Sequence, residues 1–143
     1  KGPLCNIDID YEIKVHDLCL SAIEEGIIKS AHDLSDGGLA VNLAESMLYS
    51  KNNLGAKIII ESKSRNDELL FGECQSVIIV SIEEKNLFKL ITLASELNIH
   101  TQTIGVVTKK SELIINDLIN LRLSNMKSNY FNYYSNLLKG SNE

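Results

Sequence analysis

The sequence predicts an α/β (α+β) fold, a mixed sheet covered by helices in one domain spanning residues 1–143. Two features of the pattern predict it. Short apolar runs alternate with segments whose apolar residues recur at i, i+3 and i+4. Late in the chain two such runs are separated only by a turn, which makes part of the sheet antiparallel. The size agrees: 143 residues, 44% of them hydrophobic and 23% charged, suffice for one self-supporting core and exclude a wholly disordered chain. Aromatic residues are sparse and Trp is absent, so that core is built of Ile and Leu.

The elements follow in order. The first ten residues, around Gly2 and Pro3, read as an extended lead-in. From Glu12 the spacing turns helical, with Val15, Leu18, Cys19, Ala22 and Ile23 on one face and Gly26 at the end. Residues 27–33 are too few for another helix and read as a brief buried strand. Ser35-Asp36-Gly37-Gly38 has turn chemistry and contains two residues able to cap a helix. Ala40, Leu43, Ala44, Met47 and Leu48 then mark a helix that Asn52-Asn53 breaks. Residues 56–61, with three consecutive Ile, predict a strand buried on both faces. A polar loop and a mixed connection lead to a second apolar strand at 76–82. Helical spacing returns over 83–98 through Leu87, Phe88, Ile91, Ala94 and Leu97, with Glu83 and Glu84 suited to the helix start. Strands are expected at 101–108, 112–116 and 119–123, with a turn at Asn116-Asp117. Ser124 is placed to cap a last helix whose apolar face is Met126, Tyr130, Tyr133, Tyr134 and Leu137.

Charge and composition narrow the function classes. A net charge of −5 disfavours an extended nucleic-acid footprint; Lys127 and Lys139 among the C-terminal aromatics resemble a basic-aromatic surface, but at helical spacing those aromatics read as core and not as a nucleic-acid stacking face. No apolar run approaches the ~20 residues of a membrane-spanning helix, so no membrane partner is expected. Cys5, Cys19 and Cys74 form no CxxC pair and read as reduced thiols of a cytoplasmic protein. Lys1 in place of an initiator Met suggests a piece of a longer chain.

Two clusters carry chemistry. In His32-Asp33-Leu34-Ser35-Asp36-Gly37-Gly38 a strand end meets two carboxylates and two glycines that open a helix. Such a turn suits magnesium on a phosphate, because magnesium takes one or two carboxylates together with water and phosphate oxygens. The plainer reading is a helix cap at Ser35 or Asp36 with Gly37 at positive φ. His32 suggests acid–base chemistry, against the plainer reading of a ring held by a neighbouring carboxylate or carbonyl. His16 and His100 have no companions at ligand spacing. In Leu70-Phe71-Gly72-Glu73-Cys74-Gln75-Ser76, Glu73 and Gln75 alternate on a strand-like backbone and offer a carboxylate and an amide side by side. Its plainer reading is a strand-leading turn with Cys74 packed inward. There is no P-loop, no GxGxxG and no nucleophile paired with a His, so no catalytic residue is assigned.

Ser30-Ala31-His32-Asp33-Leu34-Ser35-Asp36-Gly37-Gly38-Leu39-Ala40 followed by Leu70-Phe71-Gly72-Glu73-Cys74-Gln75 resembles a known motif pair. The pair is similar to that in the C-terminal domain of the second half of the phosphoribosylformylglycinamidine synthase family, within the aminoimidazole ribonucleotide synthetase-related superfamily. The resemblance covers nearly the whole chain. It implies a three-layer helix/mixed sheet/helix domain like the C-terminal domain of aminoimidazole ribonucleotide synthetase. It also implies an ATP-dependent carbon–nitrogen ligase of purine biosynthesis, using ATP and Mg²⁺ to amidate formylglycinamide ribonucleotide with ammonia from glutamine. The implied partners are the remaining domains of the same enzyme, a glutaminase domain or subunit, and the small-molecule substrate. The implied roles are Asp33 for the metal, Ser35, Asp36, Gly37 and Gly38 for the phosphate-binding turn, and Glu73, Cys74 and Gln75 for substrate. Cys74 stands where the family usually has Ser, and Val77 where it often has Arg, which removes a cation from the site. The alternatives are a structural domain of that enzyme without ligand contacts, or the matching domain of a related ATP-dependent kinase.

Overall fold

A computed structural model describes residues 7–140. Cys5 and most of the lead-in lie outside the described residues, as do the side chains of Tyr134 and Lys139. In chain order the elements are α1 (Ile9–Glu24), β1 (Ile28–Asp33), α2 (Gly38–Leu48), β2 (Gly55–Ile58), α3 (Asn66–Phe71), β3 (Ile78–Ile82), α4 (Leu87–Glu96), β4 (Gly105–Thr108), β5 (Glu112–Ile115), β6 (Ile119–Arg122) and α5 (Leu123–Gly140). The α+β class and the mixed pairing follow the sequence pattern. The strands, however, form two sheets, of two and four strands, where the alternation suggested one. The chain divides into two compact units accordingly.

The first unit holds the described residues up to Asn42 together with Asp67–Thr103. Helix α1 starts before Glu12, because the Asp8 carboxylate accepts the Tyr11 amide at 3.0 Å and so caps an earlier turn. Gly26, at φ +69°, ends it. Strands β1 and β3 pair antiparallel, Ile28 opposite Ile82 and Asp33 opposite Ile78. Ala22, Ile27, Ile28 and Leu90 form the core, with Leu18, Cys19, Val80, Ile82 and Leu93 packed around it. Burial pushes the Cys19 thiol above its ordinary value, as suits an inert packed cysteine. Each fully buried aliphatic side chain contributes roughly 1.5–3 kcal/mol.

Two predicted faces shift in this unit. Ile23 is exposed on α1. In α4 the buried residues are Leu90 and Ala94, while Phe88 is 81% exposed and Ile91 and Leu97 also face outward. The segment is apolar on more than one side, so its period alone does not choose a stripe. A 3₁₀ turn over Glu84–Asn86 delays the α-helix, and packing against α1 selects the Leu90 side.

The second unit holds Leu43–Asn66 with the described residues from Ile104. Its sheet runs β4-β2-β5-β6, with β2 parallel to β5 and the other pairs antiparallel. Strand β2 is not buried on both faces: Lys57 is exposed between buried Ala56 and Ile58, and Ile59, just beyond the strand, is 65% exposed. The ladder stops because the Asn116 side chain takes over, accepting the Ile60 amide and donating to the Ile60 carbonyl, each at 3.0 Å. Asn116 itself turns the chain at φ +47°, where the sequence placed a turn. Gly55 has no room for a side chain, since a Cβ would lie 1.8 Å from the Lys110 carbonyl oxygen.

Helix α5 buries Leu123, but Tyr130, Tyr133 and Leu137 of its predicted apolar face are exposed. Tyr130 instead meets Tyr49 and Phe131 edge to face, and its hydroxyl lies 3.1 Å from that of Tyr49. Lys127 donates to the Asn53 side chain at 2.6 Å.

Candidate functional site

All the site residues expected from sequence lie in the first unit. Asp33 ends β1 opposite the first residue of β3, and the Leu34 amide donates to the Val77 carbonyl at 2.8 Å, carrying the ladder one step further. In an antiparallel pair the end of one strand lies beside the start of the other. Asp33, the Ser35–Gly38 turn and the segment leading into β3 therefore share one end of this sheet.

Two contacts join the motifs there. The Gly37 amide donates to Glu73 Oε1 at 3.3 Å. At Gly38, whose φ is +68°, an added Cβ would come within 2.7 Å of the Gly72 carbonyl oxygen and of the Phe71 carbonyl carbon. Only glycine permits both that φ and that approach. The Gly37 amide is thus served by Glu73 and the Gly38 amide by the Ser35 carbonyl at 3.1 Å, while Gly37 takes the positive φ that the plainer reading expected, +82°, and Ser35 and Asp36 are exposed.

Glu73 and Gln75 do not alternate on a strand. Strand β3 begins only at Ile78, and Gln75-Ser76 form a turn with Ser76 at φ +59°. The Ser76 hydroxyl donates to the Glu12 carboxylate on α1, and Glu12 in turn holds His16 Nε2 at 2.9 Å. Cys74 is exposed, not packed inward. Glu73 and Gln75 are exposed beside it.

His32 is held, as its plainer reading expected. Its Nδ1 lies 2.9 Å from the Asp33 carbonyl oxygen, 2.9 Å from Asn42 Nδ2 and 3.6 Å from Asp33 Oδ1. Asn42 was missed by sequence reasoning. It is 2% exposed, and its Nδ2 also donates to the Asp33 carbonyl, while its Oδ1 is buried without a hydrogen-bond partner among the described residues. Leaving such an acceptor unpaired costs about 1–3 kcal/mol. The available signal was an amide standing among Leu39, Ala40 and Leu43, inside an apolar helix stripe.

Chemically this sheet end presents the Asp33, Asp36 and Glu73 carboxylates beside a glycine turn whose Gly37 and Gly38 amides donate to Glu73 and to the Ser35 carbonyl. Among the described residues no three His, Cys, Asp or Glu side chains converge as a metal cage. The Asp33 side chain is 72% exposed. One open carboxylate suits magnesium shared with a phosphate and does not suit an all-protein metal site.

Comparison with known proteins places this architecture. Residues 8–117 match the family described as AIR synthase related protein, C-terminal domain. Subunit PurL of phosphoribosylformylglycinamidine synthase from Caldanaerobacter subterraneus subsp. tengcongensis is 36% identical over 114 residues, which are 80% of this chain and 15% of that relative. PurL from Prochlorococcus marinus strain MIT 9313 is 40% identical over 133 residues, covering 85% and 16%. The chain therefore spans less than a fifth of the length of these relatives. Among solved structures, PurLQS from Thermotoga maritima superposes with a TM-score of 0.73 at 19% identity, over 87% of this chain and 23% of that one. T. maritima PurL complexed with FGAR gives 0.68 at 19% identity, over 81% and 21%. These structures share the fold. With the family match running from α1 through the glycine turn to the Asn116 turn, the chain belongs to the family of AIR synthase related proteins, as an example of their C-terminal domain.

Proposed function

We propose that this chain is the C-terminal domain of the second half of a PurL-type synthetase. The complete enzyme converts formylglycinamide ribonucleotide, ATP and glutamine-derived ammonia to formylglycinamidine ribonucleotide, ADP and phosphate, in the cytoplasm. The kinship with PurL chains supports this reading, and one observation carries the site within it: the Gly37–Glu73 bond that joins the glycine turn to the Glu73–Gln75 segment. In this reading Asp33 shares Mg²⁺ with a phosphate of the nucleotide, and the turn Ser35–Gly38 receives that phosphate. Glu73, Cys74 and Gln75 face the substrate. Bound magnesium supplies charge neutralisation on phosphate oxygens. The loss of Arg at Val77 makes that neutralisation depend on the metal. The rest of the synthetase and a glutaminase domain or subunit complete the site.

Asp33→Asn in the complete synthetase tests the assignment. It is expected to lower magnesium-dependent turnover at least about tenfold, equivalent to about 1.4 kcal/mol, with the melting temperature within about 2 °C of the parent. Full activity with a lowered melting temperature would support a structural domain without ligand contacts. Transfer of the γ-phosphoryl group of ATP to a different acceptor, with release of ADP, would favour the related-kinase reading.

A further inference from the structure

We propose that Glu12 is a positioning residue for the substrate segment Glu73–Gln75, acting through the hydroxyl of Ser76, the residue that follows it. Backbone geometry singles out that serine. Among the described residues four that are not glycine stand at positive φ: Asn53, Asn98, Asn116 and Ser76. Asparagine tolerates that conformation well, and serine does so less readily. A turn that needed only the left-handed backbone of Ser76, at φ +59°, would be better served by Gly or Asn. What serine adds is its hydroxyl, which donates to Glu12 Oε2 on α1, 64 positions earlier in the chain.

The carboxylate is itself held. Its other oxygen, Oε1, lies 2.9 Å from His16 Nε2, one helical turn further along α1. With one oxygen on His16 and the other on Ser76, the Glu12 side chain has a single direction. The same stretch of chain is tied at two other points, both on the glycine-turn side. The Gly37 amide donates to Glu73 Oε1, and the Val77 carbonyl accepts the Leu34 amide. The Ser76–Glu12 bond ties it to α1 as well. Between the ties at Glu73 and Ser76 stand Cys74 and Gln75, both exposed. Two residues spanning two fixed points keep little backbone freedom, so the tie to α1 sets where their side chains point. The plainer role for Glu12 is an acid in the first turn of a helix, favoured by the helix dipole. That role needs the charge and does not need the serine. The positioning role rests on the reading of Glu73–Gln75 as the segment that faces substrate; the Ser76–Glu12 tie does not.

The test is made on the complete synthetase. In Glu12→Ala and in Ser76→Gly the KM for formylglycinamide ribonucleotide is expected to rise about tenfold, as for the loss of one hydrogen bond to a charged group. The KM for ATP is expected to stay within about twofold of the parent. Ser76→Gly relieves the backbone and is expected to hold the melting temperature within about 2 °C. Should Glu12→Ala fail to fold, Ser76→Gly alone decides. Glu12→Gln keeps an oxygen that accepts the hydroxyl but gives up the charge, and is expected to hold the KM within about threefold of the parent. Combining Glu12→Ala with Ser76→Gly is expected to be no worse than the worse single change, because both remove the same tie. Gln75→Ala, measured alongside, raises the same KM if the segment faces substrate. An unchanged KM there overturns the substrate reading and the proposal with it. A raised KM in Gln75→Ala with parent values in the folded Glu12→Ala and Ser76→Gly variants overturns the positioning role alone. A lowered melting temperature in both Glu12 variants with no change in KM also overturns it, and assigns Glu12 to the helix dipole.

Discussion

Gly38 shows how far a single residue constrains this domain. Gly38 and Gly26 share nearly the same backbone, at φ +68° and +69°, but differ in surroundings. An added Cβ at Gly38 meets rigid backbone of Phe71 and Gly72, whereas one at Gly26 meets nothing within 4 Å. Gly26→Ala is therefore expected to cost only the conformational penalty, about 1–2 kcal/mol. Gly38→Ala adds a clash that only backbone movement relieves, and is expected to cost at least about 2 kcal/mol more. Urea unfolding of the two variants checks this, and equal losses would mean that the glycine-to-glycine approach is not a constraint. The turn at Gly37-Gly38 was legible in the sequence because its chemistry is local. That Gly72 is the reason for Gly38 was not, because the contact joins residues far apart in the chain. Asn42 escaped for the same cause: its partners lie on the preceding strand.

Among the elements, the start of α4 carries the clearest electrostatic feature. Glu83 accepts from Lys85 at 2.6 Å and from Lys29 of β1 at 2.9 Å. The hydrogen bond from Lys85, then that from Lys29, with the charges of both, hold its carboxyl down at about 2. A carboxyl lowered in the folded state stabilises it above the ordinary value of 4.5, and that contribution is lost as pH falls from 4.5 toward 2. Glu83→Gln is expected to flatten the melting temperature across this window relative to the parent. The group is exposed, so the difference is small and shrinks with added salt. Melting curves from pH 6 down to about 2, at low and high salt, measure it. An unchanged acid limb in the variant would mean that the pairing is too weak to matter. The acidic start was visible in sequence, but Lys29 as partner was not. The α4 stripe and the β2 isoleucines went astray for a related reason: an apolar run says that something is buried, not which side.

For the whole molecule, the chain matches under a fifth of the length of its PurL relatives and holds no nucleotide-binding loop recognisable in its sequence. Alone, it is expected to form no ADP above background from ATP, formylglycinamide ribonucleotide and ammonium ions. The complete synthetase should turn over under the same conditions. Comparable turnover by the isolated chain would overturn the reading of it as one domain of a larger site. Among the described residues no helix is long and apolar enough to cross a membrane, as the sequence indicated.

Local chemistry let the sequence alone determine the α+β class, most element centres, the turns at Gly26, Gly37-Gly38 and Asn116, and the motif pair that leads to the family. Those features depend on residues within a few positions of one another, where period, glycine and capping act directly. Tertiary structure alone decided that the six strands among the described residues make two sheets, that Lys57 and Ile59 face outward, that Cys74 is exposed, and that Asn42 anchors the end of β1. Each of these is set by which distant backbone or side chain arrives to complete a hydrogen bond or cover a face, and no local pattern encodes the identity of that partner.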